Sequence, residues 1–393
     1  MQRIALPVLG ALVASAIFLS PGVFAQAGEM TLRAAAEHEA DCRRGDGEAC
    51  WVVGRWYRGG LRLPQDLPKA RQLLSLGCGR QHQKSCDELN ELDLEEGTPA
   101  QVSAAVGYFD RRCSSGEVQR CMDMARRYLE GKPRLSKDEA QARRFADRAC
   151  NQGDAPGCRL VGQLAYQGLG GPVDGARVVS AFDRACQGGD NDSCVALAIA
   201  SARGEVVPAN GPLALSAAER ACSRRDADGC MLAAHIAHEG PAGQARDGER
   251  ARRHADQACG LGFADGCLLL EQVARNGEFG PPDMAAAMDA ADRGCQLRDK
   301  RACQQLVAHA AERVNAGTAD MEKFGAALLK ACHNGRIADM CTDLGLMLAA
   351  GDGVKKDELA GELYLMEALK IDPNHERAKE ALDALRSART PRK

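Results

Sequence analysis

Apolar and small residues recur along this chain at spacings of three and four, in short blocks separated by polar, glycine-bearing stretches. The register is clearest when counted back from the cysteines. Eight positions before a cysteine stand Ala70, Ala105, Ala142, Val178, Ala214, Ala251 and Ala287. Four positions before stand Leu74, Phe109, Ala146, Phe182, Ala218, Ala255 and Ala291, and immediately before stand Ala149, Ala185, Ala221 and Ala258. Such spacing defines one face of an α-helix. A second apolar block follows the next cysteine, as in "CMDMARRYLEG" and "CRLVGQLAYQG". We call the helix leading into the first cysteine of each pair B, and the helix opening at the second cysteine A. Loops such as "GLGGPVDG" and "GEVVPANGP" connect A to B.

The cysteines themselves test this scheme. Eight residues of one straight helix rise about 12 Å, whereas a disulfide needs Cα atoms roughly 4.4–6.8 Å apart. The chain must therefore reverse between the two cysteines. The intervening residues are rich in Gly, Asp, Asn and Ser, which favour turns and helix caps; Asp154, Asp190, Asp228 and Asp265 all lie just before a second cysteine. The expected pairs are Cys42–Cys50, Cys78–Cys86, Cys113–Cys121, Cys150–Cys158, Cys186–Cys194, Cys222–Cys230, Cys259–Cys267, Cys295–Cys303 and Cys332–Cys341, which uses all 18 cysteines. This spacing does not suit zinc, which favours closer cysteine pairs with further ligands nearby.

The first cysteine of each pair recurs every 35–37 residues, a period typical of stacked αα-hairpins. Aromatic residues make up only 4% of the chain, so each hairpin alone buries little and stacking must supply the core. The N-terminal stretch has one basic residue, Arg3, then an apolar run, then Ala25 and Ala27. That is the form of a secretory signal peptide spanning residues 1–27, and cleavage after Ala25 or Ala27 fits equally well. Export to an oxidising space, the periplasm or the exterior, is compatible with so many cysteines.

Two phrases carry a resemblance. "GDGEACWVVGRWYRGG" and "LGLMLAAGDGVKKDELAGELYLMEAL" resemble Sel1-like repeats through Gly54, Tyr57 and Gly60, and through Gly345, Gly351, Gly353, Val354, Asp357, Ala360 and Tyr364. The added cysteine pair resembles the cysteine-rich Sel1-like proteins of Helicobacter. Many middle repeats lack the glycine and tyrosine positions. The resemblance implies an all-α fold, a right-handed α/α solenoid of tetratricopeptide/Sel1-like hairpins with one disulfide per repeat. On this reading residues 28–370 form the solenoid, and 371–393 form a C-terminal capping helix and basic tail.

For function the resemblance implies an interaction scaffold first. It implies second a β-lactam-binding protein with weak β-lactamase activity. The residues give the second reading no support. A serine β-lactamase carries S-x-x-K with S-D-N and K-T-G elements; here Ser136 and Lys137 are adjacent, the wrong spacing. No catalytic residue and no cofactor is therefore assigned. His235 and His238, with Glu239 beside them, lack a third ligand and read as two solvent-facing histidines rather than a metal site. With a net charge of -3, nucleic-acid binding has little support, although residues 111–148 hold eleven Lys or Arg against six acids.

The first three A helices differ chemically from the rest. The first carries Trp51, Arg55, Trp56, Tyr57 and Arg58, including both tryptophans of the chain. The second is acidic, with Asp87, Glu88, Glu91, Asp93, Glu95 and Glu96; the third carries Arg126, Arg127 and Tyr128. Two readings stay open. The charges are solvated or pair between layers, with Tyr57 and one tryptophan in the core. Or Trp51, Arg55, Trp56, Arg58, Arg126 and Arg127 line a mixed-charge groove for a protein, a peptide or a peptidoglycan fragment. The expected molecule is a monomer with no membrane span after the leader is removed.

Overall fold

The computed structural model describes residues 21–60, 63–132, 134–317 and 321–389. The expected leader therefore lies outside the described residues up to position 20, and the last four residues of the basic tail do also. The chain divides into two compact units, one ending at Asp138 and one beginning at Glu139. The first holds α1 (Pro21–Arg44), α2 (Gly47–Gly59), α3 (Leu67–Gly79), α4 (Gln83–Glu96), α5 (Pro99–Ser114) and α6 (Val118–Glu130). The second holds α7 (Glu139–Asn151), α8 (Ala155–Gln167), α9 (Gly175–Gln187), α10 (Asn191–Arg203), α11 (Gly211–Ser223), α12 (Ala227–Glu239) and α13 (Gly248–Gly260). It continues through α14 (Ala264–Asn276), α15 (Met284–Gln296), α16 (Lys300–Asn315), α17 (Met321–His333), α18 (Ala338–Ala350), α19 (Glu358–Ile371) and α20 (Glu376–Arg389). Among the described residues β structure is limited to one isolated bridge, Lys132 with Leu135.

The alternation of B and A helices follows the sequence register. All seven residues eight before the cysteine, Ala70 through Ala287, are fully buried, and the seven residues four before it are buried as well. Each disulfide joins the last turn of a B helix to the first turn of the next A helix. The nine bonds pair the cysteines as the spacing predicts, with Cα–Cα distances from 4.3 to 4.8 Å. Among the described residues no cysteine is free.

The turns share one conformation. The third residue after the first cysteine is left-handed in eight repeats: Gly45, Gln81, Gly116, Gly153, Gly189, Arg225, Gly262 and Arg298. Glycine takes this conformation without the Cβ penalty that other residues pay. The ninth turn is one residue longer, and its left-handed residue is Arg336, with φ at 49°. The next residue caps the A helix. Asp46, Asp154, Asp190, Asp226 and Asp299 accept hydrogen bonds from backbone N–H groups of the first turn. This corrects the sequence reading, which mixed two registers. Asp226, not Asp228, caps α12; Phe263, not Asp265, stands at the cap of α14 and offers it no side-chain bond.

The core is thin and alanine-rich. Two of its clusters interleave alanines from A and B helices with occasional Leu, Val and Phe. The helix α20 carries no cysteine and packs Ala378 and Leu382 against Leu365, Ala368 and the Cys332–Cys341 bond. Among the described residues no helix is long and apolar enough to cross a membrane.

Candidate functional site

The helix α2 presents its aromatic residues to three different neighbours. Trp51 packs beside Ala70, Leu74 and Leu92, while Trp56 packs against a cluster containing Ala35, Cys42 and Leu73. Both indoles are half-buried. Residues five apart on a helix face different ways, so one helix supplies anchors to two clusters. The outer face of Trp51 is covered by cations: Arg55 lies 5.0 Å and Lys84 4.5 Å from its ring centroid. Tyr57 is tied inward. Its hydroxyl donates to Glu39 Oε1 at 2.7 Å and accepts from Lys69 Nζ at 2.7 Å.

The basic, acidic, basic order of α2, α4 and α6 is a ladder of ion pairs between layers. Arg58 bridges Glu88 at 2.6 Å and Glu95 at 2.7 Å. Arg55 lies 3.7 Å from Glu88. On the other side of α4, Arg127 pairs with Glu91, and Arg120 reaches Asp87 at 3.0 Å and Glu91 at 3.6 Å. Asp93, buried at 8% exposure, pairs with Arg71 at 2.8 Å. Burial pushes the Glu91 carboxyl above the usual range, against the pull of Arg127, Arg120 and Arg58. Burial, then the hydrogen bond and charge of Asp87, push the Tyr108 hydroxyl up to about 12.

The structure thus divides the six candidate residues. Arg58 and Arg127 are engaged in interlayer pairs, and Trp51 and Trp56 are half in the core. Arg55 and Arg126 remain more than half exposed, Arg126 leaning on Asp123 at 3.6 Å. The sequence reading missed Arg112 and Arg120, which share Asp87. Arg112 belongs to a B helix, and only the layering brings it to the acids of α4. His235 and His238 also separate. His235 is exposed, whereas His238 is half-buried and bonds Glu278 Oε2 at 2.6 Å, which corrects the reading of two solvent-facing histidines.

This geometry of stacked, capped hairpins defines a repeat scaffold, and comparison with known proteins names the repeat. The family model described as Sel1 repeat matches residues 47–82, 121–154, 227–263 and 338–370, each from an A helix through the B helix that follows. These four segments of the chain match Sel1 repeats. A solved Sel1 repeat protein from Oxalobacter formigenes is similar over 80% of this chain and 89% of its own, at 20% identity and a TM-score of 0.50. That likeness concerns the fold alone. A protective antigen of uropathogenic Escherichia coli displaying an SLR fold aligns over 94% of this chain and 81% of its own, at 16% identity and a TM-score of 0.42.

Among curated proteins, cytochrome c oxidase assembly factor 7 of Xenopus tropicalis is 27% identical over 133 residues, which is 31% of this chain and 56% of that protein. Factor 7A of Xenopus laevis is 27% identical over 132 residues, with the same shares. The chain spans about half the length of these curated relatives.

Proposed function

We propose that this protein is an exported scaffold that binds a partner protein or peptide in the periplasm or outside the cell. The observation that carries the reading is the set of nine disulfides, one at each of nine successive helix-to-helix turns of a stack that carries Sel1 repeats. Bonds of this number suit an oxidising, extracytoplasmic environment. Stacked hairpins offer extended surfaces rather than one closed pocket. The amphibian relatives are named for assembly of another protein, which accords with handling a client. Of the six candidate residues on the first repeats, Arg55 and Arg126 are the most exposed to a partner.

The test is expression with the native N-terminus, followed by cell fractionation and sequencing of the mature protein. The expected product begins at Gln26 or Gly28, lies outside the cytoplasm and carries no free thiol. Crosslinking in intact cells should then recover one defined partner, lost with Arg55→Gln plus Arg126→Gln. Cosedimentation with peptidoglycan instead would transfer the reading to a cell-wall ligand. Turnover of a chromogenic cephalosporin that disappears with one point mutation would replace scaffold by enzyme. Retention in the cytoplasm with reduced cysteines would sink the proposal.

A further inference from the structure

At the C-terminal end of the second unit, two successive disulfide turns and the helix α19 enclose an open cavity of about 770 Å³. Its cations are Arg298 from the turn before α16, Arg336 from the turn before α18 and Lys370 from α19, with the His333 imidazole beside them. The one acid is Glu367, which Lys370 occupies at 2.8 Å. The hydrogen bond from Lys370, together with its charge and those of Arg336 and His333, holds the Glu367 carboxyl below its usual range. Among the described residues the guanidinium groups of Arg298 and Arg336 have no hydrogen-bond or ion-pair partner. That sets them apart from Arg58, Arg120 and Arg127 of the first unit, whose charges are spent between layers.

The same wall is apolar alongside the cations. Leu363 lines the cavity at 59% exposure, and Leu359 and Met366 extend an exposed stripe along α19 at four- and three-residue spacing. Tyr364 lines it too and lies with its ring centroid 5.7 Å from that of His333. Arg298 and Arg336 also hold left-handed turn positions where most repeats use glycine.

We infer that this cavity docks an acidic, leucine-bearing peptide segment of the partner protein. Its carboxylates would sit between Arg298 and Arg336, and its apolar side chains on Leu363 and Tyr364. The inference rests on the scaffold reading above and gives that scaffold a class of ligand. Unpaired guanidinium groups favour carboxylates, which they can hold through paired N–H donors. The adjoining apolar stripe favours a peptide over a small free anion, which would leave that stripe unused.

The probe is a fluorescein-labelled Glu-Leu-Glu-Glu-Leu-Leu-Glu peptide, read by fluorescence anisotropy against its Gln-for-Glu counterpart, with the full oxidised protein. The acidic peptide should bind and its neutral counterpart should not. Arg298→Gln with Arg336→Gln should weaken binding by about tenfold or more and flatten its salt dependence. Gln81 already occupies the equivalent left-handed position in another turn, so the replacement suits the backbone. Arg225→Gln is the control: it stands at the same turn position, exposed, outside this cavity. Leu363→Ser should weaken the peptide without affecting competition by inorganic phosphate. Equal effects of Arg225→Gln, or no peptide binding by a folded protein, would overturn the proposal. So would phosphate binding that the peptide does not improve upon. If a crosslinked partner is recovered while the peptide fails, the scaffold stands and this site falls.

Discussion

The left-handed turn residue shows how one backbone angle is reused along a chain. Five of the eight equivalent positions are glycine, while Gln81, Arg225 and Arg298 hold φ values of 63°, 63° and 65°. A side chain in this region costs on the order of 1 kcal/mol, partly offset by glycine's greater freedom when unfolded. Gln81→Gly and Arg225→Gly should therefore each stabilise the protein by about 0.5 kcal/mol, seen as a small rise in denaturation midpoint at unchanged slope. A loss of stability in both would show that the turns do not share one conformation. Capping has the opposite sense: Asp190 accepts from the Ser193 N–H at 2.8 Å, and Asp190→Ala should cost about 1 kcal/mol. These positions were only partly legible. The richness in Gly and Asp marked the turns, but two aspartates two residues apart, Asp226 and Asp228, serve different purposes. Only one of them stands where its carboxylate meets the free N–H groups of the helix end.

At the scale of helices, the apolar register was readable because it repeats, whereas polar partners were not because they are set by stacking. The position four after the second cysteine is small in most A helices, as at Gly54, Ala125, Gly162, Ala198, Ala234 and Gly345, where neighbouring helices approach closely. In α14 that position is Glu271, buried and bonded at 2.8 Å to His309 of α16, itself 1% exposed. Neither residue stands out in the sequence, since 38 positions separate them. Removing His309 leaves the buried Glu271 with only the partly exposed Arg275 of its own helix, at 3.4 Å. His309→Ala should cost about 3 kcal/mol, and joint replacement of both residues by Leu should recover most of it. Equal losses in the single and double variants would mean packing, not the pair, sets the cost.

The clamp joining α1, α2 and α3 adds a pH dependence. Burial opposes the ionisation of Glu39, but hydrogen bonds from Lys69 and Tyr57 and the charges of Lys69 and Arg43 hold its carboxyl below the ordinary 4.5. Hydrogen bonds to Glu39 and Tyr57, with their charges, hold Lys69 above its ordinary 10.5. A lowered acid contributes stability that is present above its unfolded value and lost as pH falls through the folded one. A raised base contributes stability that is present below its unfolded value and lost as pH rises through the folded one. The clamp is thus strongest between pH 4.5 and 10.5. In denaturation series across pH, Glu39→Gln should reduce the acid-side loss; a curve parallel to that of the unchanged protein would count against the clamp.

Across the whole molecule, stability rests on many short covalent loops set beside a core of small side chains. Each loop closes over so few residues that its bond contributes about 2–3 kcal/mol in the chain-entropy picture. The sequence made the nine pairs legible because their spacing is nearly constant. It could not rank them, because accessibility depends on what each turn packs against. Seventeen of the cysteines are buried, and Cys78 alone is not; its partner Cys86 is the most exposed of the others, at 9%. Reduction proceeds by attack of a thiolate on an accessible sulfur. With limiting dithiothreitol under native conditions, followed by acid quenching, alkylation and peptide mapping, Cys78–Cys86 should open before any other bond. Bonds such as Cys186–Cys194, with both cysteines wholly buried, should open only when the hairpin unfolds, so their rates should rise steeply with added urea. The rate at Cys78–Cys86 should rise much less. Simultaneous opening of all nine bonds, with one shared urea dependence, would instead require global unfolding before any reduction and would discard accessibility as the controlling quantity.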